Sequence, residues 1–129
     1  MIKFKKLCVC LFLVMTTILL TSCSFGNGGI IRISSGSMEP VLKVGEVYYY
    51  QKQDTYELND IVVIDKNGVM LVHQIVGKYD DSNPQNYLLP GDEGYENSEF
   101  WVTKGIASDT LDGILDLSTV KGKIIRKIF

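Results

Sequence analysis

An uncharged apolar run close to the N-terminus is the feature that most constrains this chain. The sequence opens MIKFKK, and residues 7–20 then carry no charged side chain. A basic start followed by such a run is typical of a signal sequence or a membrane anchor, which is not part of a folded domain. Because positively charged flanks stay on the cytoplasmic side, the rest of the chain is expected to be exported. We therefore predict that segment 1–23 tethers a domain to the outer face of the cell membrane.

Two forms of membrane attachment fit this segment. Residues 7–22 would make a helix of about 24 Å, at about 1.5 Å per residue, which is short for a hydrocarbon core of about 30 Å. The tetrad LTSC that ends at Cys23 resembles the lipobox of bacterial lipoproteins, in which the cysteine is lipidated after cleavage. Cys23 is accordingly a lipidation candidate, and an uncleaved anchor is the alternative. Both forms make membrane lipid a partner.

The distribution of cysteine and charge excludes several kinds of chemistry. All three cysteines lie at or before residue 23, so the remaining chain can form no internal disulfide and offers no cysteine nucleophile. It has one histidine and no paired acidic motif, so we expect no metal and no cofactor. Three of the 13 basic residues precede residue 7, whereas all 15 acidic residues follow residue 24. This acidic balance argues against a nucleic-acid partner.

Runs of β-branched and aromatic residues dominate the chain beyond a glycine-rich linker at residues 24–30. They lie at residues 30–33, 44–51, 60–64, 69–79, 87–89 and 123–129. Turn-forming residues separate several of them, and no long stretch has the 3.6-residue period of a helix. We therefore predict a mainly β domain over residues 31–129. In a domain of this size, a shallow groove along a strand edge is the expected site, and an extended peptide is its natural ligand.

A small, hydroxylated segment, SSGSMEP at residues 34–40, follows the first apolar run. Gly36 allows a sharp turn, and Pro40 fixes its exit. Such a turn can expose one serine hydroxyl beside converging backbone amides, which is the geometry that the oxyanion of acyl transfer needs. A plain surface loop with serines as turn formers is the alternative.

His73 is the candidate base for such a serine. It lies in the apolar run VMLVHQIV, where strand alternation places it on an apolar face. A neutral imidazole accepts a serine proton at neutral pH, whereas a lysine would first need its pKa lowered by burial. A hydrogen-bonded core histidine is the alternative. Asp109 and Asp112, in the polar loop at residues 104–113, are both candidates for a carboxylate that orients the base, and spacing does not choose between them.

Four blocks of the sequence resemble type I signal peptidases. They are, in order, SGSMEP at residues 35–40, NDIVV at 59–63, VHQIV at 72–76 and KG at 104–105. A histidine where many bacterial members have lysine makes the chain similar to the endoplasmic-reticulum and archaeal type, which also occurs in Gram-positive bacteria. The resemblance covers about residues 31–128, and SGSMEP is its most specific block. It implies a small signal-peptidase-like β domain that acts on the signal peptides of exported pre-proteins, with the translocation machinery as a further partner.

The resemblance also implies roles for individual residues. Ser37 would be the nucleophile, with its own backbone amide and the Ser35 hydroxyl in the oxyanion hole. His73 would be the general base. Counted from the KG pair, Asp112 falls at the offset of the family's third catalytic residue, and Asp109 is the alternative third member.

The chain departs from the family pattern in several places. Val41 replaces a threonine, Gln74 replaces an arginine, Ile106 replaces the aspartate of the KGD motif, and residues 79–102 form a long insertion. The implied protein is a membrane-tethered serine endopeptidase that forms an acyl-enzyme. A peptide-binding lipoprotein with a degenerate peptidase fold is the main alternative, and Ile106 favours it. Two further hypotheses are a structural surface lipoprotein and an autoprotease of the SOS-repressor kind, which would use lysine and a DNA-binding N-terminus.

Overall fold

The computed structural model describes residues 27–129 together with Lys3. The rest of segment 1–23, including Cys23, lies outside the described residues. Within residues 27–129, eight strands form one antiparallel sheet and no α-helix is found. The prediction of a mainly β domain is therefore confirmed. This part of the chain contains no helix long and apolar enough to span a bilayer.

The sheet is assembled out of sequence order. Its strands are β1 (Gly28–Arg32), β2 (Val47–Gln51), β3 (Ile61–Lys66), β4 (Val69–Tyr79), β5 (Tyr87–Leu88), β6 (Trp101–Lys104), β7 (Gly113–Ile114) and β8 (Val120–Lys127), with 3-10 turns at Gly36–Met38, Tyr95–Asn97 and Leu117–Thr119. The spatial order is β1-β2-β8-β3-β4-β6-β7, and β5 pairs with β4. The last strand of the chain therefore lies between β2 and β3, and β1 forms one edge.

The chain enters the sheet earlier than the glycine-rich composition predicts. Gly28 and Gly29, predicted as linker, are the first two residues of β1 and pair with β2. A β-carbon on Gly29 would lie 2.6 Å from the hydroxyl oxygen of Tyr50. A β-carbon on Gly28 would lie 2.7 Å from the backbone carbonyl oxygen of Tyr50, so glycine at this position is a packing requirement and not a sign of flexibility.

The β3–β4 hairpin sets the register of the histidine strand. Asn67 and Gly68 at its tip have φ of 55° and 86°, which is the left-handed conformation that a two-residue hairpin turn requires. The Asp65 carboxylate accepts a hydrogen bond of 2.8 Å from the Gly68 amide. The resulting register pairs His73 with Val62, which is fully buried. Alternation along β4 therefore points the imidazole inward.

The core divides into two groups of buried side chains. The first, here called the sheet core, consists of Val62, Ile64, Ile75, Leu115 and Val120. The second, here called the loop core, consists of Ile33, Met38, Leu42 and Tyr48. Three of the four loop-core residues come from the connection between β1 and β2. Burial of these apolar side chains holds in place a segment that would otherwise be a free surface loop.

The long insertion folds back onto the end of β4. The Lys78 ammonium lies 4.2 Å from the centre of the Tyr95 ring and donates to the Tyr95 carbonyl at 3.2 Å. Beyond the insertion, β6 returns to pair with β4, with Lys104 opposite Gln74. The insertion therefore does not separate the histidine strand from the loop that follows β6. The sequence pattern did not predict β6, because four residues are too few for alternation to be recognised.

Candidate active site

The serine segment is anchored by the side chain that follows the candidate nucleophile. Met38 is only 1% exposed and packs in the loop core. The amides of Val41 and Leu42 both donate to its carbonyl at 3.0 Å, and the Glu39 amide donates to Gly36 at 3.1 Å. Gly36 does not use a left-handed φ, so the sharp turn predicted from glycine is made instead by these short-range hydrogen bonds. With Met38 directed inward, the preceding serine lies at the edge of the core.

Ser37 and Ser35 contact each other through their hydroxyls. The two Oγ atoms are 3.1 Å apart, and either can be the donor. Ser35 has an extended backbone and precedes the 3-10 turn, whose second residue is Ser37. The Ser37 amide therefore belongs to the first turn, where backbone N–H groups have no acceptor within the turn. Both groups predicted for the oxyanion hole are thus polar donors at the start of one turn.

The candidate base and a carboxylate are joined in the folded chain. His73 is 7% exposed, and its Nδ1 hydrogen-bonds Oδ2 of Asp112, 39 residues later in sequence. An ionised carboxylate can only accept, so the proton of a neutral imidazole resides on Nδ1 and Nε2 carries the free lone pair. Gly113, with φ of 97°, turns the chain immediately after Asp112. Asp112 and His73 thus form a base with a defined tautomer.

The other nitrogen of His73 is buried without a partner. Nε2 has no hydrogen-bond partner among the described residues. A buried polar atom left unpaired costs about 1–3 kcal/mol, so such atoms in native folds call for a functional reason. In this site the unpaired atom is the ring nitrogen of the candidate base, and it lies close to the candidate nucleophile.

Gly105 lies beside both the candidate serine and the imidazole. A β-carbon built on this residue would lie 3.1 Å from His73 Nε2, 3.2 Å from Ser37 Cβ and 2.8 Å from the Ser37 carbonyl oxygen. Ser37 and His73 therefore both border the space that the missing side chain leaves. In this structure the Ser37 hydroxyl bonds Ser35 and not the imidazole. Catalytic hydrogen bonds are often loose without substrate, so this geometry is compatible with a serine–histidine pair.

The loop after β6 distinguishes the two candidate aspartates. Asp112 contacts the histidine, whereas Asp109 is exposed at the surface. Ile106, which replaces the family's aspartate, packs partly buried against the loop core. The next amide, of Ala107, donates to the Ser37 carbonyl at 2.9 Å. The loop is thus attached to the serine turn by an apolar contact and a backbone hydrogen bond.

A narrow groove adjoins Ser37 between two unpaired strand edges. One side is formed by the end of β1 and the serine segment, and the other by residues 70–72 of β4, around a cavity of about 30 Å³. Among the strands that the structure describes, β1 pairs only with β2, and β4 pairs with β6 only from Gln74 onward. The first half of β4 therefore presents free backbone groups, as does β1. Such edges pair with extended peptides.

The Glu46 carboxylate forms hydrogen bonds at the end of the segment that connects β1 with β2. Glu46 accepts from the Lys43 amide at 2.6 Å and from the Tyr48 hydroxyl at 3.2 Å, and it also pairs with Lys127. These hydrogen bonds, chiefly that from Lys127, hold the pKa of Glu46 below its usual range. The Ile33 amide donates to the Glu46 carbonyl at 2.9 Å, so the two ends of the segment are joined.

Two parts of the site were missed by sequence reasoning. The free edge of β4 arises because β6 is short, and no motif signals it. Thr103 on β6, which is 2% exposed, donates to the Asp112 carboxylate at 2.9 Å. A single threonine in an unrecognised strand gives no sequence signal of such a contact. In the part of the chain that the structure describes, no cluster of His, Cys, Asp or Glu is placed to hold a metal ion.

Comparison with protein-family models and with curated proteins identifies no relative of this chain. No model of a protein family matches the chain, and none of the curated proteins matches it. The chemistry of the site has to be read from its residues and their geometry.

Proposed function

We propose that the protein is a membrane-tethered serine endopeptidase that removes signal peptides from exported pre-proteins. The observation that carries this proposal is the buried Nε2 of His73, which has no partner among the described residues and lies beside Gly105, as Ser37 does. It belongs to an imidazole whose Nδ1 is bonded to Asp112. A core histidine kept only for packing would have both nitrogens satisfied. The order and specificity of the signal-peptidase-like blocks give independent support.

The proposed reaction uses each of these groups. The Ser37 hydroxyl turns from Ser35 to the imidazole, His73 takes its proton, and Oγ attacks the scissile carbonyl carbon. The Ser37 amide and the released Ser35 hydroxyl donate to the oxyanion. The imidazolium, stabilised by Asp112, then protonates the leaving amine, and an ester to Ser37 remains. Water activated by His73 hydrolyses this ester and restores the serine.

The groove supports an extended substrate with small side chains. Free backbone groups on β1 and on the first half of β4 can pair with a peptide on both sides. A cavity of about 30 Å³ has room for little more than a methyl group or one water molecule. Small residues at the cut, as the resemblance implies, are compatible with this volume. A membrane tether would raise the effective concentration of signal sequences held in the same bilayer.

Replacement of the nucleophile or the base tests the proposal. Membranes that contain the full chain are incubated with a panel of pre-proteins, and new N-termini are mapped. We expect defined cleavage by the wild type, and loss of cleavage in Ser37→Ala and in His73→Ala. Ser82→Ala, on an exposed turn of the insertion, is the control and should cleave normally. Normal cleavage by either site variant would refute the assigned pair.

A matched pair of substitutions tests the third member. Asp112→Asn should lower kcat/KM by about 10³- to 10⁴-fold, because an amide can hold the imidazole in the wrong tautomer. Asp109→Asn, three residues earlier and exposed, should leave kcat/KM close to the wild-type value. Equal losses in the two variants would contradict the role of Asp112.

Peptide binding without cleavage is the second candidate function. Ile106 in place of the family's aspartate and the Ser37–Ser35 hydrogen bond favour it. In that case, wild type and Ser37→Ala would bind a pre-protein with equal affinity, and neither would produce a new N-terminus. The same membrane experiment therefore separates the two functions.

A further inference from the structure

We propose that Thr103 is a positioning residue that holds the Asp112 carboxylate and thereby fixes the tautomer of His73. The proposal deepens the proposed function and rests on it for its kinetic consequences. Its structural part can be tested without catalysis. No motif of the sequence includes Thr103, and the reaction described above does not use it.

Thr103 makes two hydrogen bonds with Asp112. Its hydroxyl donates to Oδ2 at 2.9 Å, and this is the same oxygen that accepts from Nδ1 of His73. Its carbonyl accepts from the Asp112 amide at 2.9 Å. The side chain of Thr103 is 2% exposed and β-branched, so its hydroxyl has a restricted rotamer within the sheet. Hydrogen bonds to β6 therefore hold both the backbone and the carboxylate of Asp112 in place.

The carboxylate has space to leave the imidazole. Asp112 lies in a loop, and its side chain is 23% exposed. It borders a cavity of about 180 Å³, lined on the other side by the β3–β4 turn. Among the described residues, only His73 and Thr103 donate from their side chains to this carboxylate. Without the threonine hydroxyl, rotation of the carboxylate into the cavity would break the bond to Nδ1.

Other charged groups near the histidine do not substitute for Asp112. Asp60 on the β3 side and Lys123 on β8 share the face of the sheet that includes Val62, but they pair with each other at 3.0 Å. Lys104 lies opposite Gln74 and therefore on the other face from His73. The tautomer of the imidazole thus depends on one carboxylate and on the group that orients it.

The single histidine of the chain makes the test direct. The full chain, with ¹⁵N-labelled histidine, is prepared in detergent micelles, and the two ring nitrogens are observed at about pH 8.5, well above the ordinary imidazole pKa of about 6.5. Their shifts report the fraction of imidazole with its proton on Nδ1. We expect this tautomer to predominate in wild type and in Thr103→Ser, which retains the hydroxyl. We expect Thr103→Val, which removes the hydroxyl at similar volume, to give a mixture with the Nε2–H form.

The kinetic arm measures the consequence of the same change. Thr103→Val should lower kcat by about 10- to 100-fold with KM unchanged, because misorientation affects the reacting groups and not the groove. Thr103→Ser should recover most of the activity. Thermal unfolding checks the fold of each variant, and Thr103→Ala replaces the valine variant if the latter does not fold.

The outcomes are distinguishable. A wild-type tautomer population in Thr103→Val would overturn the positioning role. If Thr103→Val does not fold, the same result in Thr103→Ala would overturn it. An altered tautomer with unchanged kcat would overturn its link to catalysis. If the wild type cleaves no pre-protein, the proposed function fails, and the nitrogen shifts still decide whether Thr103 orients Asp112 and His73.

Discussion

The two halves of the candidate site are held by different forces. The base half, His73 with Asp112, is fixed by strand pairing and by directional hydrogen bonds from β6. The nucleophile half, Ser37, lies on a 3-10 turn that is anchored by buried apolar side chains, chiefly Met38 and Leu42. One backbone hydrogen bond, from Ala107 to Ser37, joins the two halves.

This difference matches what each half has to do in the proposed reaction. A base needs one ring orientation and one tautomer, and hydrogen bonds impose both because they are directional. A nucleophile needs its main chain held in place while its hydroxyl rotates, and apolar burial is non-directional. The Ser37 hydroxyl, bonded here to Ser35, is free to change partner in a way that the His73 ring is not.

Among the substitutions that test this comparison, the largest effect is expected from filling the gap between the halves. Gly105→Ala would place a methyl group 2.8 Å from the Ser37 carbonyl oxygen, so the serine and the imidazole must move apart. A displacement of reacting groups by about 1 Å can lower the reaction rate about 10²-fold, and we expect kcat/KM to fall by that order. Gly36→Ala is the control, because its methyl group would meet nothing nearer than 3.7 Å, on a Glu39 side chain.

Gly36 belongs to SGSMEP, the most specific block of the sequence, whereas Gly105 belongs to the less specific KG pair. The sequence alone would therefore favour Gly36 as the more sensitive position, and the structure predicts the opposite. Cleavage rates of both variants against one pre-protein give the measurement. Equal activity in Gly105→Ala and wild type would mean that the two halves do not meet across this glycine. A large loss of cleavage activity in Gly36→Ala would show that the serine turn needs glycine for a reason other than a steric clash of the added methyl group.

An intermediate effect should come from a matched pair of core substitutions. Leu42 in the loop core is 3% exposed, and Leu115 in the sheet core is 7% exposed. Each Leu→Ala change should lower the free energy of unfolding by about 2–5 kcal/mol. Leu42→Ala should also reduce kcat/KM by about tenfold or more, because apolar packing is the main anchor of the serine turn. Leu115→Ala should reduce kcat/KM less, because Thr103 still holds Asp112.

Denaturant unfolding and cleavage assays on the two variants separate stability from activity. If Leu115→Ala lost as much activity as Leu42→Ala at equal stability, hydrogen bonding would not protect the base half. The proposed difference between the two halves would then be wrong.

The smallest expected effect concerns the carboxylate at the base of the serine segment. The pKa of Glu46 is lowered in the folded chain, chiefly by the hydrogen bond from Lys127. Its stabilising contribution is therefore present above the ordinary value of 4.5 and is lost as the pH falls through the lower folded value. Glu46→Gln should lower the unfolding temperature by a few degrees at most near pH 7, because the pair is partly exposed to solvent.

This difference should shrink as the pH is lowered from 7 to below 4.5, and salt should reduce it at pH 7. Glu57→Gln, at an exposed glutamate, is the control and should change little at either pH. A difference that persists unchanged in acid would show that Glu46 acts through shape and not through charge.

Local patterns in the sequence were sufficient for the longer strands, though not for β6 and β7, and for the direction of the histidine. The Asn67-Gly68 pair predicts the hairpin turn, and alternation along the following run places His73 on the buried face. These features depend on neighbouring residues, so they can be read one segment at a time. The start of β1 could not be predicted in this way, because the need for glycine at Gly28 arises from the backbone of another strand, at Tyr50.

By itself, the sequence determined the mainly β class, and it supplied the two principal candidate residues of the site, Ser37 and His73, the second of which is the single histidine of the chain. Only the tertiary structure decided that Asp112 and not Asp109 contacts His73, that Thr103 supports the carboxylate, and that Gly105 leaves room for the serine. Contacts of this kind join residues far apart in the chain. They follow from strand order and from packing between strands, and hydrophobic periodicity within a segment carries no information about either.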